Sequence, residues 1–184
     1  MALGPCDEIF FTTYWGTRRG LSYRDGYEGD LLFHIDPYQR TLVAHGLVES
    51  ERGIPALASS PEHGVLYALA VEPASNRGTF LVMDIYSGEI IFSADASPGY
   101  RAIAVDGSGN AYFSSDTGEL SVYDPTTNSI VNTLAVPGAF LRAHTTTADG
   151  SIVAVSQDPS TFNEIDGDNA VSFVTALDSP RRWP

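Results

Sequence analysis

The chain contains 184 residues, 43% of them hydrophobic, and carries a formal net charge of −13 at pH 7. All ten basic residues are arginine, and this acidic balance argues against nucleic-acid binding, which requires a basic surface. Cys6 is the only cysteine, which excludes a disulfide framework and a zinc site made of paired cysteines. The amino end resembles no signal peptide, and no apolar stretch approaches the roughly 18 residues of a membrane span. We therefore expect a soluble domain with a real core and leave its compartment open.

A short strand that is closed by an aspartate recurs four times along the chain. The copies span residues 29–37, 78–84, 118–125 and 160–166, and their closing residues are Asp36, Asp84, Asp124 and Asp166. These aspartates are 48, 40 and 42 residues apart. A second motif, which contains a turn glycine, precedes three of the copies, at 63–67, 108–112 and 149–153. A period of about 40–50 residues built from short strands and Gly/Asp turns predicts the blades of a β-propeller.

In chain order, the pattern predicts four blades, at about 8–50, 54–96, 101–137 and 141–177. In the first blade, a strand at Glu8–Tyr14 precedes a long connection that ends near Gly29. The third blade is the most regular, with strands predicted at 102–105, 110–115, 119–123 and 129–136. No segment has a helical period, so we predict a single all-β domain of about four four-stranded blades. Because the copies are short and loosely similar, we expect this domain to be part of a six- to eight-bladed ring, completed by a homodimer or by a missing remainder.

Two segments carry a resemblance to known repeats. Residues 105–112 (Val-Asp-Gly-Ser-Gly-Asn-Ala-Tyr) and 123–134 (Tyr-Asp-Pro-Thr-Thr-Asn-Ser-Ile-Val-Asn-Thr-Leu) resemble the YVTN/NHL/quinoprotein-like superfamily of β-propellers. The resemblance covers nearly the whole chain, and it implies the fold but not the activity, since such propellers include lactonases, lyases, dehydrogenases and interaction scaffolds. Quinoprotein enzymes repeat a blade-docking tryptophan, whereas this chain has only Trp15 and Trp183, so a quinone cofactor is not expected. The motifs of calcium-dependent lactonases do not match residue by residue, and a divalent cation stays open.

Arginines are concentrated in connections that a propeller would bring to one face. Arg101 and Arg142 each open an innermost strand and lie 41 residues apart, the local blade period. The connections of the preceding blades contain the others of this group, Arg18, Arg19, Arg24 and Arg52. The planar guanidinium fork fits carboxylate, sulfate or phosphate, so we predict a mouth that binds an anion. The alternative is that these arginines pair with nearby acids such as Asp158 and hold loops in place.

Aromatic and titratable side chains are expected around the same mouth. Tyr14 and Trp15 would stack on a sugar ring, and Tyr100 beside an arginine could transfer a proton if its pKa were lowered. His144 follows Arg142 by two residues and could be a general base or a metal ligand. Alternatively, it packs as its counterpart Ile103 does. His34 takes the place of Val82 and Val122 and is assigned a structural role, His45 ends an outer strand, and the four histidines do not form a metal-ligand spacing.

The hypothesis that follows is a lyase or hydrolase that acts on acidic saccharides. Its predicted catalytic residues are His144, Arg142, Arg101 and Tyr100. Its predicted ligand-binding residues are Tyr14, Trp15, Arg18, Arg19, Arg52 and Gln157. For the segment of Gln157, the alternative is that Asp158 and Pro159 cap a turn. The competing hypotheses are a non-catalytic propeller that binds a partner through the same loops and a truncated propeller without independent activity.

Overall fold

The computed structural model describes residues 1–12, 31–47, 53–72, 77–97, 102–115, 117, 119–135, 143–155, 161–165 and 171–176. Within these ranges the chain is almost entirely β-strand, and its one helical element is the 3-10 turn Pro61–His63. The strands form four sheets of four antiparallel strands each, and in every sheet the spatial order of the strands follows the chain.

The first sheet contains β1 (Ala2–Leu3), β2 (Ile9–Thr12), β3 (Leu31–Asp36) and β4 (Thr41–Leu47). The second contains β5 (Gly53–Ser60), β6 (Val65–Glu72), β7 (Arg77–Asp84) and β8 (Ile90–Ala96). The third contains β9 (Ala104–Val105), β10 (Ala111–Ser114), β11 (Leu120–Asp124) and β12 (Ser129–Leu134). The fourth contains β13 (Ala143–Thr146), β14 (Ile152–Val155), β15 (Thr161–Ile165) and β16 (Val171–Ala176).

The amino end of the chain contains a strand that the sequence analysis did not predict. Strand β1 has two residues and pairs with β2 through Ala2 and Phe10 and through Leu3 and Ile9. A two-residue strand is too short to show the alternation of apolar and polar residues that identifies longer strands. As a result, the first sheet has four strands like the others.

The first strands of consecutive sheets lie against one another, β1 against β5, β5 against β9 and β9 against β13. The last strands lie at the periphery, where Ile130 and Val131 of β12 are 40% and 50% exposed. The sheets are therefore arranged side by side around their first strands, which is the arrangement predicted for a propeller. The prediction of an all-β fold built from four-stranded antiparallel sheets is confirmed.

The second sheet is buried on both of its faces. One face of it, including Tyr67 and Phe80, packs on Phe113 and Tyr123 of the third sheet. The rings of Phe80 and Phe113 stack with centroids 4.0 Å apart. Leu66, on the other face, belongs to a cluster with residues of the first sheet. Burial on both faces explains why β6 is an almost continuous apolar run rather than an alternating one.

The repeated aspartates form the turn between the third and fourth strands of three sheets. The Oδ1 atoms of Asp36 and Asp84 each accept hydrogen bonds from the two backbone N–H groups two and three residues later. Asp124 accepts one from the backbone N–H of Thr126. The backbone N–H of Ser87, followed by other donors of the turn, lowers the pKa of Asp84. An Asx turn therefore explains the recurrence of aspartate at the three described hairpins, and Asp166 of the fourth copy lies outside the described residues.

The two ends of the sheets carry different connections, because antiparallel strands alternate in direction. At one end, which we call the loop face, second strands end, third strands begin and the chain passes from sheet to sheet. There, Thr12 Oγ1 donates to the Ile54 carbonyl at 2.9 Å. At the other end, the turn face, lie the turns between first and second strands and between third and fourth strands. There, the Gly107 N–H donates to the Gly150 carbonyl of the next sheet at 3.1 Å.

Candidate functional site

The loop face is the end of the sheets to which the predicted site residues belong by topology. Segments 13–30, 48–52, 98–101, 136–142 and 156–160 each join strand ends that lie at this face. The predicted residues in these segments lie outside the described residues: Tyr14, Trp15, Arg18, Arg19, Arg24, Arg52, Tyr100, Arg101, Arg142 and Gln157. His144 lies in β13, where its backbone pairs with Ala154, and its side chain is likewise outside the description.

Arg77 adds a described guanidinium to the loop face. It begins β7, and its Nη2 lies 3.6 Å from the Asp95 Oδ1 of the neighbouring strand. Both side chains are well exposed, by 70% and 65%. An exposed ion pair of this kind contributes little to stability because water screens it. Arg77 therefore shows the local pairing that the sequence analysis gave as the alternative role, while its guanidinium stays accessible to an anion in solvent.

A hydrogen-bonded network of hydroxyl and carboxylate groups lies at the loop face of the third sheet. The Ser115 and Thr117 hydroxyl oxygens are 2.8 Å apart, and Thr117 Oγ1 donates to the Glu119 Oε2 at 3.2 Å. The Glu119 backbone N–H donates to Ser115 Oγ at 3.1 Å. Ser115 is buried, and the network links it to Thr117 and Glu119 in the short connection between β10 and β11. The sequence analysis identified this segment only as a short turn.

A cleft of about 420 Å³ lies at the turn face, between the first turns of the third and fourth sheets. Its carboxylates are engaged in the turns themselves. Asp106 accepts bonds from the backbone N–H groups of Ser108 and Asn110, from the Asn110 side chain and from the Tyr112 hydroxyl. The Thr147 hydroxyl donates to Asp149 and is the main cause that lowers the pKa of this carboxyl. The cleft is therefore a consequence of turn geometry.

Two histidines of the first sheet form a pair that the sequence spacing did not reveal. His34 Nδ1 lies 2.6 Å from His45 Nε2, and the rings are tilted by 38° with centroids 4.8 Å apart. Burial, followed by the charge of His34, lowers the pKa of His45. The sequence analysis treated His34 as structural and placed His45 at the end of an outer strand, whereas β4 continues beyond it to Leu47.

Two kinds of feature are absent from the described ranges, a cluster of three or more possible metal ligands and a membrane-spanning helix. No group of three or more His, Cys, Asp or Glu residues among them could hold a metal ion. No helix in this part of the chain is long and apolar enough to cross a bilayer.

Comparison with known proteins gives matches at the level of structure. No family model matches the sequence, and no curated protein matches it. The streptogramin B lyase structure aligns with 96% of this chain at 14% identity and a TM-score of 0.60. Virginiamycin B lyase from Staphylococcus aureus aligns with 94% at 12% identity and a TM-score of 0.58. The WD40 repeats of RRP9 align with 93% at 13% identity and a TM-score of 0.61.

The chain has a β-propeller fold. These neighbours are propellers, and the sheet order and the adjacency of the first strands agree with them. The chain spans 54%, 60% and 48% of the length of the three neighbours, respectively. At identities of 12–14%, the likeness shows the fold of the propeller alone.

Proposed function

We propose that this β-propeller binds an acidic saccharide at its loop face and cleaves it as a lyase. The observation that supports the proposal is the antiparallel topology of the sheets. In this topology, the connections that contain six of the ten arginines of the chain all link strand ends of one face, which supports a shared location for them. Arg77, whose guanidinium is described, belongs to the same face.

Because the protein is acidic overall, an arginine-rich face would be the part of its surface that attracts an anion. With a net charge of −13, the molecule as a whole repels anions, so an anionic ligand needs a local concentration of positive charge. Arginine binds a carboxylate through two parallel N–H···O bonds, which orients the ligand as well as attracting it. In the proposal, Arg18, Arg19 and Arg52 bind the anionic groups that flank the reacting sugar, and Gln157 adds a polar contact.

The proposed reaction is a β-elimination at the sugar that carries the carboxylate. Arg101 and Arg142 neutralise this carboxylate, and so acidify the C–H bond next to it. His144 removes that proton, the C–O bond on the neighbouring carbon breaks, and a C=C bond forms. Tyr100 donates a proton to the departing oxygen, so the step needs neither water nor a redox partner. Tyr14 and Trp15 stack on the ring.

Two of the structural neighbours are lyases by name, which supports this reaction class by analogy at the level of the fold. The analogy covers the reaction class and not the substrate. Both the saccharide and the roles of the residues therefore rest on the chemistry of this chain.

The proposal is tested by incubating the protein with polygalacturonate, alginate and hyaluronan. We expect new ultraviolet absorbance from the C=C bond of an unsaturated product with at least one of them. Arg142→Ala should lower kcat/KM by roughly 100-fold or more, the usual cost of removing one group that stabilises developing charge. The matched control is Arg40→Gly, which removes an arginine from the turn face and should leave turnover unchanged.

Other results would replace this proposal by a competing one. Cleavage without the absorbance of a C=C bond would identify a hydrolase. Binding that gives no product and survives His144→Ala would identify a non-catalytic binding module. Full activity in Arg142→Ala, or no binding to any of the three polysaccharides, would contradict the proposed site.

A further inference from the structure

The first sheet contains a pair of imidazoles with facing nitrogens. His34 Nδ1 and His45 Nε2 are 2.6 Å apart, a separation that requires one shared hydrogen. Two neutral imidazoles can form this bond only if one facing nitrogen carries the proton and the other presents its lone pair. The pair therefore concentrates two of the commonest nitrogen ligands of proteins at one point of the fold.

The register of the sheet brings these residues together. His34 of β3 pairs with Val43 of β4, and His45 follows two residues later, so its side chain lies on the same face as that of Val43. The pairing of β3 with β4 is irregular between Leu31 and Phe33, next to His34 in the sequence. The two histidines are 11 residues apart in sequence, and the β-hairpin between them makes them neighbours.

Two neighbouring residues lie close to the pair. Phe10, which is only 3% exposed, lies with its ring centroid 5.4 Å from that of His34 and 6.3 Å from that of His45. Gly88 of the second sheet lies near His45, since a Cβ atom built on it would stand 3.9 Å from the His45 Nδ1. The pair is thus oriented by a buried ring while its outer side remains open to solvent.

A metal ion can replace the shared proton if both rings turn toward it. Nitrogen ligands bind zinc at about 2.0–2.1 Å, so two of them at an angle of about 90–109° stand about 2.9–3.4 Å apart. The observed 2.6 Å has to open by about 0.3–0.8 Å, and each ring has to turn by roughly 35–45° so that its lone pair leaves the line between the two nitrogens and points at the ion. One ring must also move its proton from the facing nitrogen to its other nitrogen, a tautomer change that neutral imidazole allows.

We propose that His34 and His45 form a chelating site for a divalent transition-metal ion, with water completing the coordination. Imidazole nitrogens suit copper, nickel and zinc, and the general order of affinity places Cu²⁺ first. The net charge of −13 attracts a cation to the protein and so favours the metal-bound pair over the metal-free pair. The site lies between the first and second sheets and is separate from the loop face.

The experiment is a titration of the purified protein with copper(II) chloride in the presence of glycine as a competing ligand, followed by electron paramagnetic resonance. We expect one Cu²⁺ bound per chain with hyperfine structure from two imidazole nitrogens. Because even the loss of an outer-shell partner costs about 10–100-fold in metal affinity, His34→Gln and His45→Gln should each weaken binding at least tenfold. The matched control is His63→Gln, whose ring contacts Ser60 at the turn face and not the pair.

Circular dichroism of each variant separates loss of a ligand from loss of folding. His45 is exposed, so the His45→Gln variant should fold even if His34→Gln does not. As a second measurement, zinc chloride added to the unsubstituted protein should shift the imidazole nitrogen resonances of two histidines. Copper affinity that is unchanged in His45→Gln, an equal loss in His63→Gln, or zinc shifts absent from both rings of the pair would overturn the proposal.

Discussion

At the scale of single residues, the repeat places a left-handed backbone at the same position of three hairpins. The residue four after the closing aspartate has a positive φ in each described case, at Arg40 (55°), Gly88 (74°) and Asn128 (51°). Glycine adopts this conformation without steric cost, and asparagine tolerates it better than most residues. Arginine lacks both advantages, so the turn of the first sheet contains local strain that the other two avoid.

Arg40→Gly is therefore expected to stabilise the protein. A left-handed conformation costs a non-glycine residue roughly 1–2 kcal/mol, and glycine offsets part of this gain by about 0.5–1 kcal/mol of unfolded-state entropy. We expect the free energy of unfolding in urea to rise by about 0.5–1 kcal/mol on this balance. Gly88→Ala is the reciprocal control. Position 88 has space for a Cβ atom, but its φ lies in the same left-handed region, so this variant should be less stable. A less stable Arg40→Gly variant would contradict this reading of the turn.

At the scale of elements, neighbouring sheets are held together at the turn face by backbone contacts as well as by side chains. The Gly107 N–H donates to the Gly150 carbonyl, and the Tyr67 hydroxyl donates to the Gly109 carbonyl across sheets at 2.7 Å. A Cβ atom on Gly107 would meet the Gly150 Cα at 2.9 Å. Gly107 and Gly150 thus permit the close approach of adjacent turns, and Gly109 and Gly150 of the second repeated motif also supply a positive φ.

Gly107→Ala tests this contact without a change of backbone preference, because Gly107 is not among the positive-φ glycines. The added methyl group would have to displace the backbone of the neighbouring turn, and overpacking of this kind costs about 1–3 kcal/mol. We expect the denaturation midpoint to fall by a corresponding amount. Ser108→Ala, at the exposed next position, should change it little, and equal midpoints for the two variants would argue against a tight contact.

At the scale of the whole molecule, the second sheet shows what a blade needs for stability. Its two faces pack on the first and third sheets, with Leu66 and Met83 in one interface and Tyr67 and Phe80 in the other. The chain spans only about half of the length of larger propellers, with coverage between 48% and 60% for the three neighbours described above. We therefore retain the prediction that a complete ring forms by pairing of two chains or with further propeller sequence.

Light scattering of the purified chain tests this prediction. We expect a discrete species of twice the 19.7 kDa chain mass, since pairing would bury the outer faces of the terminal sheets. Dilution should not reduce the mass in the working concentration range of the assay for saccharide cleavage. A compact monomer of full stability would contradict pairing and would mean that four sheets suffice.

The sequence by itself determined the repeat, the strand-rich fold class and the turn chemistry of this protein. These properties are local: the Asx turn of Asp84 depends on donors within three residues, and the apolar run of β6 reports burial on both faces directly. The period of about 40–50 residues then implies copies of one unit that must pack side by side. Strand order alone then predicts that the arginine-rich connections lie at one face, and this stays a prediction because those connections are outside the described residues.

The tertiary structure decided which groups meet. A sheet register with a local irregularity brings His34 next to His45, and their spacing of 11 residues in the sequence does not predict this contact. The approach of Gly107 to Gly150 depends on how two sheets are stacked, and the network around Ser115 depends on the positions of Thr117 and Glu119 within reach of its hydroxyl group. Periodicity encodes the direction and burial of each side chain along its own strand. Distances across strands and between sheets are set by register, twist and stacking, which emerge only when the whole fold is assembled.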